Sequence, residues 1–214
     1  MKTEDGRLEV VAGASRSGKT AWVRQATAKD KRVFAWDPDD QWSRLPGFRR
    51  VTTQAELFSL AKKPGPLKLG YVAGGDLKKE FDFWAGCVQC AGRYVEPLTA
   101  ICEEIADVTS PSKAPGNYGI LLRRGLKRGI NIYVISQRWA EADKTAVGNA
   151  SGFVMFRMSS GDDVRYMARK TMVDYSELAG LQTIFYEGTQ HVKETFFVKA
   201  DKLSGKIERG SLRF

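Results

Sequence analysis

The sequence predicts an α/β fold, in which a mainly parallel central sheet is flanked by helices and followed by a C-terminal hairpin. Short apolar runs that are typical of buried strands alternate with helix-like segments along most of the chain. Near the C-terminus, two strand-like runs flank the turn-rich tetrapeptide Glu-Gly-Thr-Gln at 187–190. Hydrophobic residues make up 43% of the 214 residues, which is enough for a buried core. We expect one domain, with a core at about 8–158 and an extension at about 159–214.

The predicted strands and helices follow one another in a regular order. Strands are predicted at 8–13, 32–38, 67–73, 97–104, 130–138, 151–158, 182–188 and 191–200. Helices are predicted at 18–29, 54–63, 76–95, 119–129, 141–150 and 162–171. Asp76 is the expected N-cap of the third helix. Because parallel sheets place their sites at the carboxyl ends of strands, polar residues at those ends are the candidates for function.

The composition favours a polyanionic partner. Lysine and arginine number 34 against 25 acidic residues, which gives a net charge of +9 and makes nucleic acid the first candidate. The chain has no run of 18 apolar residues, and its charged start, Met-Lys-Thr-Glu-Asp, is unlike a secretory signal. We therefore expect no transmembrane segment and a cytoplasmic protein.

Residues 13–20, Gly-Ala-Ser-Arg-Ser-Gly-Lys-Thr, match the phosphate-loop pattern G-x-x-x-x-G-K-[ST] between a predicted strand and a predicted helix. Gly13 and Gly18 let successive backbone N–H groups turn towards phosphate oxygens. Lys19 supplies a cation to the β and γ phosphates, and the Thr20 hydroxyl suits Mg²⁺. The pattern predicts that a nucleoside triphosphate binds at Gly13, Ala14, Ser15, Arg16, Ser17, Gly18, Lys19, Thr20 and Ala21.

Two adjacent carboxylates, Glu103 and Glu104, end the strand predicted at 97–104. Neighbouring side chains of an extended backbone point in different directions, so each carboxylate can take its own role. We expect Glu103 to hold the metal and Glu104 to polarise the attacking water as general base. Gln137, at the tip of the strand predicted at 130–138, is expected to sense the γ-phosphate or orient that water.

This order of phosphate loop, acid pair and strand-end glutamine resembles that of the FtsK–HerA superfamily of ATPases. Asp37-Pro38 and the segment 121–158, a basic helix followed by a strand ending in Ser-Gln-Arg, carry the resemblance, which covers about 8–158. Within the superfamily the chain looks most like the genome-packaging ATPases of tailless, internal-membrane double-stranded DNA viruses of the tectivirus type. The resemblance implies a RecA-like P-loop NTPase core, ATP hydrolysis, a homo-oligomeric ring that is usually a hexamer, and double-stranded DNA as the translocated substrate.

The same resemblance implies further partners and residues. Capsid or membrane vertex proteins would dock the ring, in the host cytoplasm or at the packaging vertex of the virion. An arginine finger would act in trans across a subunit boundary, with Arg124 as first choice and Arg123 or Arg128 as alternatives. The sequence departs from the superfamily in two places: Glu103 stands where Asp is usual, and Leu126-Lys127 follows Gly125 where Arg-(Lys/His) is common.

Three segments are candidates for contacts with the DNA backbone, because such contacts need lysine and arginine on loops. They are the loop 110–119 with Lys113, the segment 139–150, and the basic run 199–214, which we expect to be a mobile tail. The pair Cys87 and Cys90 forms a C-x-x-C within helix-like sequence, and without a second pair we expect packing in preference to metal or redox chemistry. We expect the tryptophans at 36, 42, 84 and 139 to lie in the core or in an interface.

Other classes of function stay open at this point. One is a ring ATPase of the same superfamily for conjugation or filamentous-phage assembly, similar to the zonula occludens toxin family. Another is a P-loop nucleotide or small-molecule kinase, and a further one is a nucleotide-gated binding protein without catalysis. Glu104 and Gln137 favour water as the acceptor over a substrate hydroxyl.

Overall fold

The computed structural model describes residues 5–92, 97–112, 114 and 116–214. Its strands are β1 Leu8–Ala12, β2 Arg32–Trp36, β3 Phe48–Val51, β4 Leu67–Tyr71, β5 Leu98–Cys102, β6 Ile130–Ser136, β7 Gly152–Met155, β8 Thr183–Phe185, β9 Val192–Asp201 and β10 Ile207–Arg213. Its helices are α1 Lys19–Ala26, α2 Gln54–Ala61, α3 Leu77–Ala91, α4 Gly116–Arg124, α5 Lys144–Asn149, α6 Gly161–Thr171 and α7 Tyr175–Ala179.

The described strands form one mixed sheet in the order β10-β9-β7-β1-β6-β5-β2-β4-β3, and β8 also pairs with β9. The pairs from β7 to β3 are parallel, whereas β9 pairs antiparallel with β7, β8 and β10. Every residue of β1, β2 and β5 is buried, which explains why these strands appear in the sequence as almost unbroken apolar runs. The predicted α/β class and the C-terminal hairpin are therefore confirmed.

Helices cover both faces of the sheet. Alternate residues of β1 point to opposite sides: Val10 joins a large core with the buried faces of α2 to α6, and Val11 joins a smaller one with Val23 of α1 and Trp42. The tryptophans at 36, 42, 84 and 139 are fully or almost fully buried, as expected. Both sides of the central strands β1, β2 and β5 are thereby shielded from water.

Helix α3 shows how local sequence and packing act together. Asp76 caps its first turn by accepting hydrogen bonds from the backbone nitrogens of Lys78 (3.2 Å) and Lys79 (3.3 Å). Its apolar face packs Phe81 and Trp84 against the sheet, with the two rings stacked at 5.6 Å between centroids. Cys87 lies on the same buried face, and burial raises the pKa of its thiol to about 12, so this cysteine is a core residue.

Several predicted boundaries differ from the structure. The strand predicted at 97–104 ends at Cys102, and the basic helix predicted at 119–129 runs over α4 and then a separate 3-10 turn, Leu126–Arg128. The mobile tail predicted at 199–214 is wrong, because this segment completes β9 and forms β10. Strand β3 and helix α7 were not predicted.

Both outer strands of the described sheet carry arginines that are paired with acids. On β3, Arg49 pairs with Glu56 (2.7 Å) and Arg50 with Asp40 (2.9 Å). On β10, Arg209 pairs with Glu177 (2.6 Å) and Arg213 pairs with Glu194 (3.1 Å). Within the ranges described, no helix has the length and hydropathy that a bilayer span requires.

Asp201 ties the turn between β9 and β10 to the first strand. Its carboxylate accepts hydrogen bonds from the backbone nitrogens of Ser204 (2.8 Å) and Leu203 (3.0 Å) and pairs with Arg7, which precedes β1. The bonds from Ser204 and the contact with Arg7 lower the pKa of Asp201 from an ordinary 3.8 to about 2.

We expect Asp201→Asn to lower stability at pH 5 and to have less effect as the pH falls towards 2. A depressed pKa in the folded state means that the stabilisation is complete above the unfolded value of 3.8 and is lost as the pH falls through the folded value of about 2. Urea unfolding of both proteins at several pH values measures this difference. The variant Asp39→Asn, at an exposed carboxylate outside this cluster, is the control; a difference that is constant with pH would contradict the prediction.

Candidate active site

The phosphate loop lies between β1 and α1, and both of its glycines are sterically required. Gly18 has a φ of 99° and stands at the N-terminus of α1 with no side-chain cap, so the first N–H groups of the helix are available to an anion. A Cβ atom on Gly13 would lie 2.5 Å from Ser17 Oγ, and one on Gly18 would lie 2.6 Å from Thr195 Cγ2. The loop conformation therefore depends on glycine at positions 13 and 18.

Two neighbouring strands hold the loop in place. The backbone nitrogen of Ala14 donates to the carbonyl oxygen of Arg157, just beyond β7, at 2.7 Å. The Thr195 hydroxyl on β9 donates to the carbonyl oxygen of Ser17 at 2.8 Å, and this hydroxyl is fully buried. Thr195 was not predicted as a site residue, because it lies 178 residues from Ser17 and no local pattern marks it.

Lys19 is 7% exposed and its Nζ donates to the carbonyl oxygen of Ala14 at 2.9 Å across the loop. Burial lowers the pKa of Lys19, while the charges of Glu104 and Glu103 raise it. The ammonium group thus lies among the loop residues with negative charge on one side. Phosphate oxygens at the loop would supply further hydrogen-bond acceptors to this buried cation.

Glu103 lies directly after β5 and is held by two hydrogen bonds. Its Oε1 accepts from the Thr20 hydroxyl (3.0 Å), and its Oε2 accepts from Trp42 Nε1 (3.0 Å). Burial raises the pKa of Glu103, and the bonds from Trp42 and Thr20 and the charge of Lys19 lower it. The carboxylate and the hydroxyl bring together two hard oxygen ligands, which is the donor type that Mg²⁺ prefers.

Trp42 reaches Glu103 because Asp37 folds the preceding loop. The buried Asp37 carboxylate follows β2 and accepts hydrogen bonds from the backbone nitrogens of Gln41 (2.7 Å), Trp42 (3.1 Å) and Ser43 (2.8 Å). Asp37 was noted in the sequence only as part of an Asp-Pro pair. The structure shows that its role here is to position the indole that holds Glu103.

Glu104 points away from Glu103. Its backbone has a φ of 42° and a ψ of 61°, a left-handed conformation that is uncommon for a residue with a side chain. Its Oε1 accepts hydrogen bonds from the Ser136 hydroxyl (3.0 Å) and from the backbone nitrogen of Gln137 (3.1 Å), at the end of β6. The adjacent acids therefore diverge, one to the phosphate loop and one to the next strand.

A cavity of about 810 Å³ joins these groups. It is lined by the phosphate loop from Ser15 to Ala21, by Glu103, Glu104 and Gln137, and by residues of the β8–β9 hairpin. This volume is within the range of sites that bind drug-sized ligands. Of the predicted nucleotide-binding residues, Gly13 and Ala14 lie behind this surface and shape the loop.

The predicted arginine fingers lie elsewhere. Arg123 and Arg124 end α4, and Arg128 ends the short turn that leads into β6, so all three are at the amino edge of the sheet. Strand β6 is 7 residues long, or about 23 Å at roughly 3.3 Å per residue, and separates them from the phosphate loop at the carboxyl edge. Their side chains are exposed. Within one chain they do not reach the cavity, and they are accessible to another molecule.

The three candidate DNA segments have different outcomes. Lys113 lies outside the described residues. In the segment 139–150, Trp139 is buried and Lys144 donates to the carbonyl oxygens of Trp139 (3.0 Å) and Ala140 (2.8 Å), so this lysine is turned towards its own loop. The segment 199–214 is part of the sheet, as described above.

Comparisons with known proteins bear on the fold and the family. The sequence is 33% identical over 177 residues to protein P9 of Pseudoalteromonas phage PM2, a match that covers 82% of this chain and 79% of that protein. No protein-family model matches the sequence.

Two solved structures are similar to the whole chain. One is the genome packaging NTPase B204 of Sulfolobus turreted icosahedral virus 2 in complex with AMPPCP, with a TM-score of 0.69, 15% identity and 97% of each chain covered. The other is the N-terminal domain of zonular occludens toxin from Neisseria meningitidis, with a TM-score of 0.50, 15% identity, and 98% and 95% covered. The predicted resemblance is confirmed in the fold, because the whole chain has the fold of the genome packaging NTPase B204.

We expect Trp42→Phe to weaken Mg²⁺ binding in the presence of ATP by about tenfold, because it leaves the buried Oε2 of Glu103 without its donor. The measurement is a Mg²⁺ titration of nucleotide binding to the full chain. Trp36→Phe is the matched control, since this indole is equally buried and its Nε1 has no hydrogen-bond partner among the described residues. Equal effects of the two substitutions would show that the hydrogen bond to Glu103 has no such role.

Proposed function

The chain belongs to the family of protein P9 of Pseudoalteromonas phage PM2, and we propose that it is an ATP-hydrolysing motor that moves double-stranded DNA into a preformed viral capsid. Support for the packaging role comes from a virus protein of the same fold, the genome packaging NTPase B204. Support for hydrolysis comes from the site itself. The alternative ring ATPases, for conjugation or filamentous-phage assembly, are expected to have the same fold, so the fold by itself does not select the capsid.

One observation carries the assignment of hydrolysis: the adjacent acids diverge within a single cavity. Glu103 lies against Thr20 of the phosphate loop, and Glu104 lies against the end of β6 beside Gln137. A metal-binding acid and a general base need such separate positions, because two carboxylates directed at one point repel each other. A kinase of this fold usually lacks the second, adjacent acid and needs a site for its acceptor.

The residues fit ATP with Mg²⁺. The Thr20 hydroxyl and the Glu103 carboxylate would hold the ion together with phosphate oxygens and water, which is the usual protein contribution to a Mg²⁺ site. Among the residues described, no group of three or more histidine, cysteine or acidic side chains could hold a metal ion. The bound ion would neutralise charge on the β and γ phosphates.

Glu104 and Gln137 act on the attacking water. The water oxygen attacks the γ-phosphorus, its proton passes to the Glu104 carboxylate, and the bond between the γ-phosphorus and the bridging oxygen breaks, leaving ADP and phosphate. The bonds from Ser136 and Gln137 fix the position of Glu104 Oε1. Glu104 Oε2 would accept the proton of the water. Lys19 stabilises the charge that develops on the phosphate oxygens.

The proposed partner and assembly follow from charge and topology. A net charge of +9 suits contacts with a phosphate backbone that do not depend on base sequence. The exposed arginines at the amino edge suit a ring in which Arg124, or else Arg123 or Arg128, reaches the cavity of the neighbouring subunit. We propose a hexamer that works in the host cytoplasm or at the packaging vertex and docks on capsid or membrane vertex proteins.

Substitution Glu104→Gln is expected to reduce ATP turnover at least a hundredfold and to leave ATP affinity within about twofold, because an amide cannot accept the proton of the attacking water. Turnover is measured by phosphate release with and without double-stranded DNA, which we expect to stimulate the unmodified protein. Glu208→Gln, at an exposed carboxylate of β10, is the matched control. Unchanged turnover in Glu104→Gln would remove Glu104 from the mechanism.

The same assay separates the alternatives. Transfer of the γ-phosphate to a small acceptor, with no effect of DNA, would indicate a kinase. ATP binding without turnover in the unmodified protein would indicate a nucleotide-gated binding protein.

For the finger in trans, Arg124→Ala should lose most ATP turnover alone, and Lys19→Ala should lose it as well. Mixed in equal amounts, the two variants should regain a fraction of turnover, since some interfaces then pair an intact loop with an intact arginine. The mixture is compared with each variant alone at the same total concentration, and sedimentation confirms that the subunits associate. Normal turnover by Arg124→Ala would assign the finger to another residue.

A further inference from the structure

The cavity extends well beyond the groups that act on phosphate. Its lining also includes three residues with ring side chains, Tyr186, His191 and Phe214, and with them Gln190 and Val192. Tyr186 and Phe214 are 46% and 53% exposed, so both aromatic rings present apolar surface to water at the mouth of the cavity. Nothing in the hydrolytic mechanism uses these side chains.

These residues are fixed in position by their own hydrogen bonds. In the turn between β8 and β9, the backbone nitrogen of Tyr186 donates to the carbonyl oxygen of His191 (2.9 Å). The backbone nitrogen of Thr189 donates to the carbonyl oxygen of Tyr186 (3.0 Å). The Tyr186 hydroxyl donates to the carbonyl oxygen of Phe214 (3.2 Å). The backbone nitrogen of Phe214 donates in turn to the carbonyl oxygen of Lys193 (3.1 Å). The two exposed rings therefore belong to one ordered unit, formed by the turn and the end of the segment after β10.

This unit is also tied to the phosphate loop. Thr195, three residues beyond Val192 on β9, donates to the carbonyl oxygen of Ser17 (2.8 Å). Arg16 of the loop donates a side-chain hydrogen bond to Gln190 of the turn. Hydrogen bonds therefore connect the segment that carries the rings to the phosphate loop, and both line the same cavity.

We propose that Tyr186, His191 and Phe214 form the subsite for the adenine base of bound ATP. This inference rests on the proposed binding of ATP at the phosphate loop, and it assigns the part of the nucleotide that the loop does not contact. Flat aromatic side chains stack on nucleobases, and an exposed pair of them gains most when the base covers its apolar surface. The hairpin thereby gives the site affinity for a nucleotide over a bare polyphosphate.

The test compares ATP with inorganic tripolyphosphate, which has the same phosphate chain and no base. Equilibrium binding to the full chain is measured with Mg²⁺ for both ligands. The unmodified protein is expected to bind ATP at least tenfold more tightly than tripolyphosphate. Phe214→Ala and Tyr186→Ala should each weaken ATP binding by about tenfold and leave tripolyphosphate binding within about twofold, whereas Phe214→Trp should retain ATP binding.

Phe196→Ala is the matched control, because this exposed phenylalanine lies on the same hairpin and outside the lining of the cavity. It should leave the binding of both ligands unchanged. If ATP and tripolyphosphate bind equally to the unmodified protein, or if the two alanine variants weaken both ligands alike, the base subsite is overturned while the phosphate site stands. If neither ligand binds to the unmodified protein, the proposed function itself fails, and the subsite with it.

Discussion

The hydrogen bond between Thr20 and Glu103 joins two side chains that are 83 residues apart in the sequence. It depends on the strand order, because β6 lies between β1 and β5 and brings both carboxyl ends to one edge of the sheet. It also places a buried carboxylate close to a buried ammonium group, Lys19. Burial shifts the pKa of each towards its neutral form, and each charge opposes that shift in the other. Burying these two charges costs free energy, and ligands that match them will stabilise the folded chain.

Much of this arrangement could be predicted because it is encoded locally. The phosphate loop, the acid pair and Gln137 each follow an apolar strand, and the carboxyl ends of parallel strands lie at one edge of the sheet. The supporting contacts could not be predicted in this way. Trp42 reaches Glu103 from another loop, and Thr195 reaches Ser17 from the far end of the chain. A pairwise contact over such a distance leaves no periodicity or spacing in a single sequence.

The errors at the C-terminus have a similar physical origin. Strand β10, Ile-Glu-Arg-Gly-Ser-Leu-Arg, is exposed at most positions, so it lacks the apolar alternation by which a half-buried strand is recognised. The basic composition of residues 199–214 therefore favoured the prediction of a mobile tail. The structure gives this extension a different meaning: β9 anchors the phosphate loop, and the turn that precedes it closes one side of the cavity. The extension is part of the site, although the motifs lie entirely in the core.

The charges on the outer strands limit how copies of this chain can meet. Arg49 and Arg50 on β3 and Arg209 and Arg213 on β10 are each paired with an acid of the same chain. Adding a strand from a second molecule to either edge would remove water from these ions and crowd like charges. A polymer with continuous backbone hydrogen bonding across subunits through β3 or β10 is therefore disfavoured. In the proposed ring, copies would associate through helices and loops, whose contacts can change without breaking the sheet.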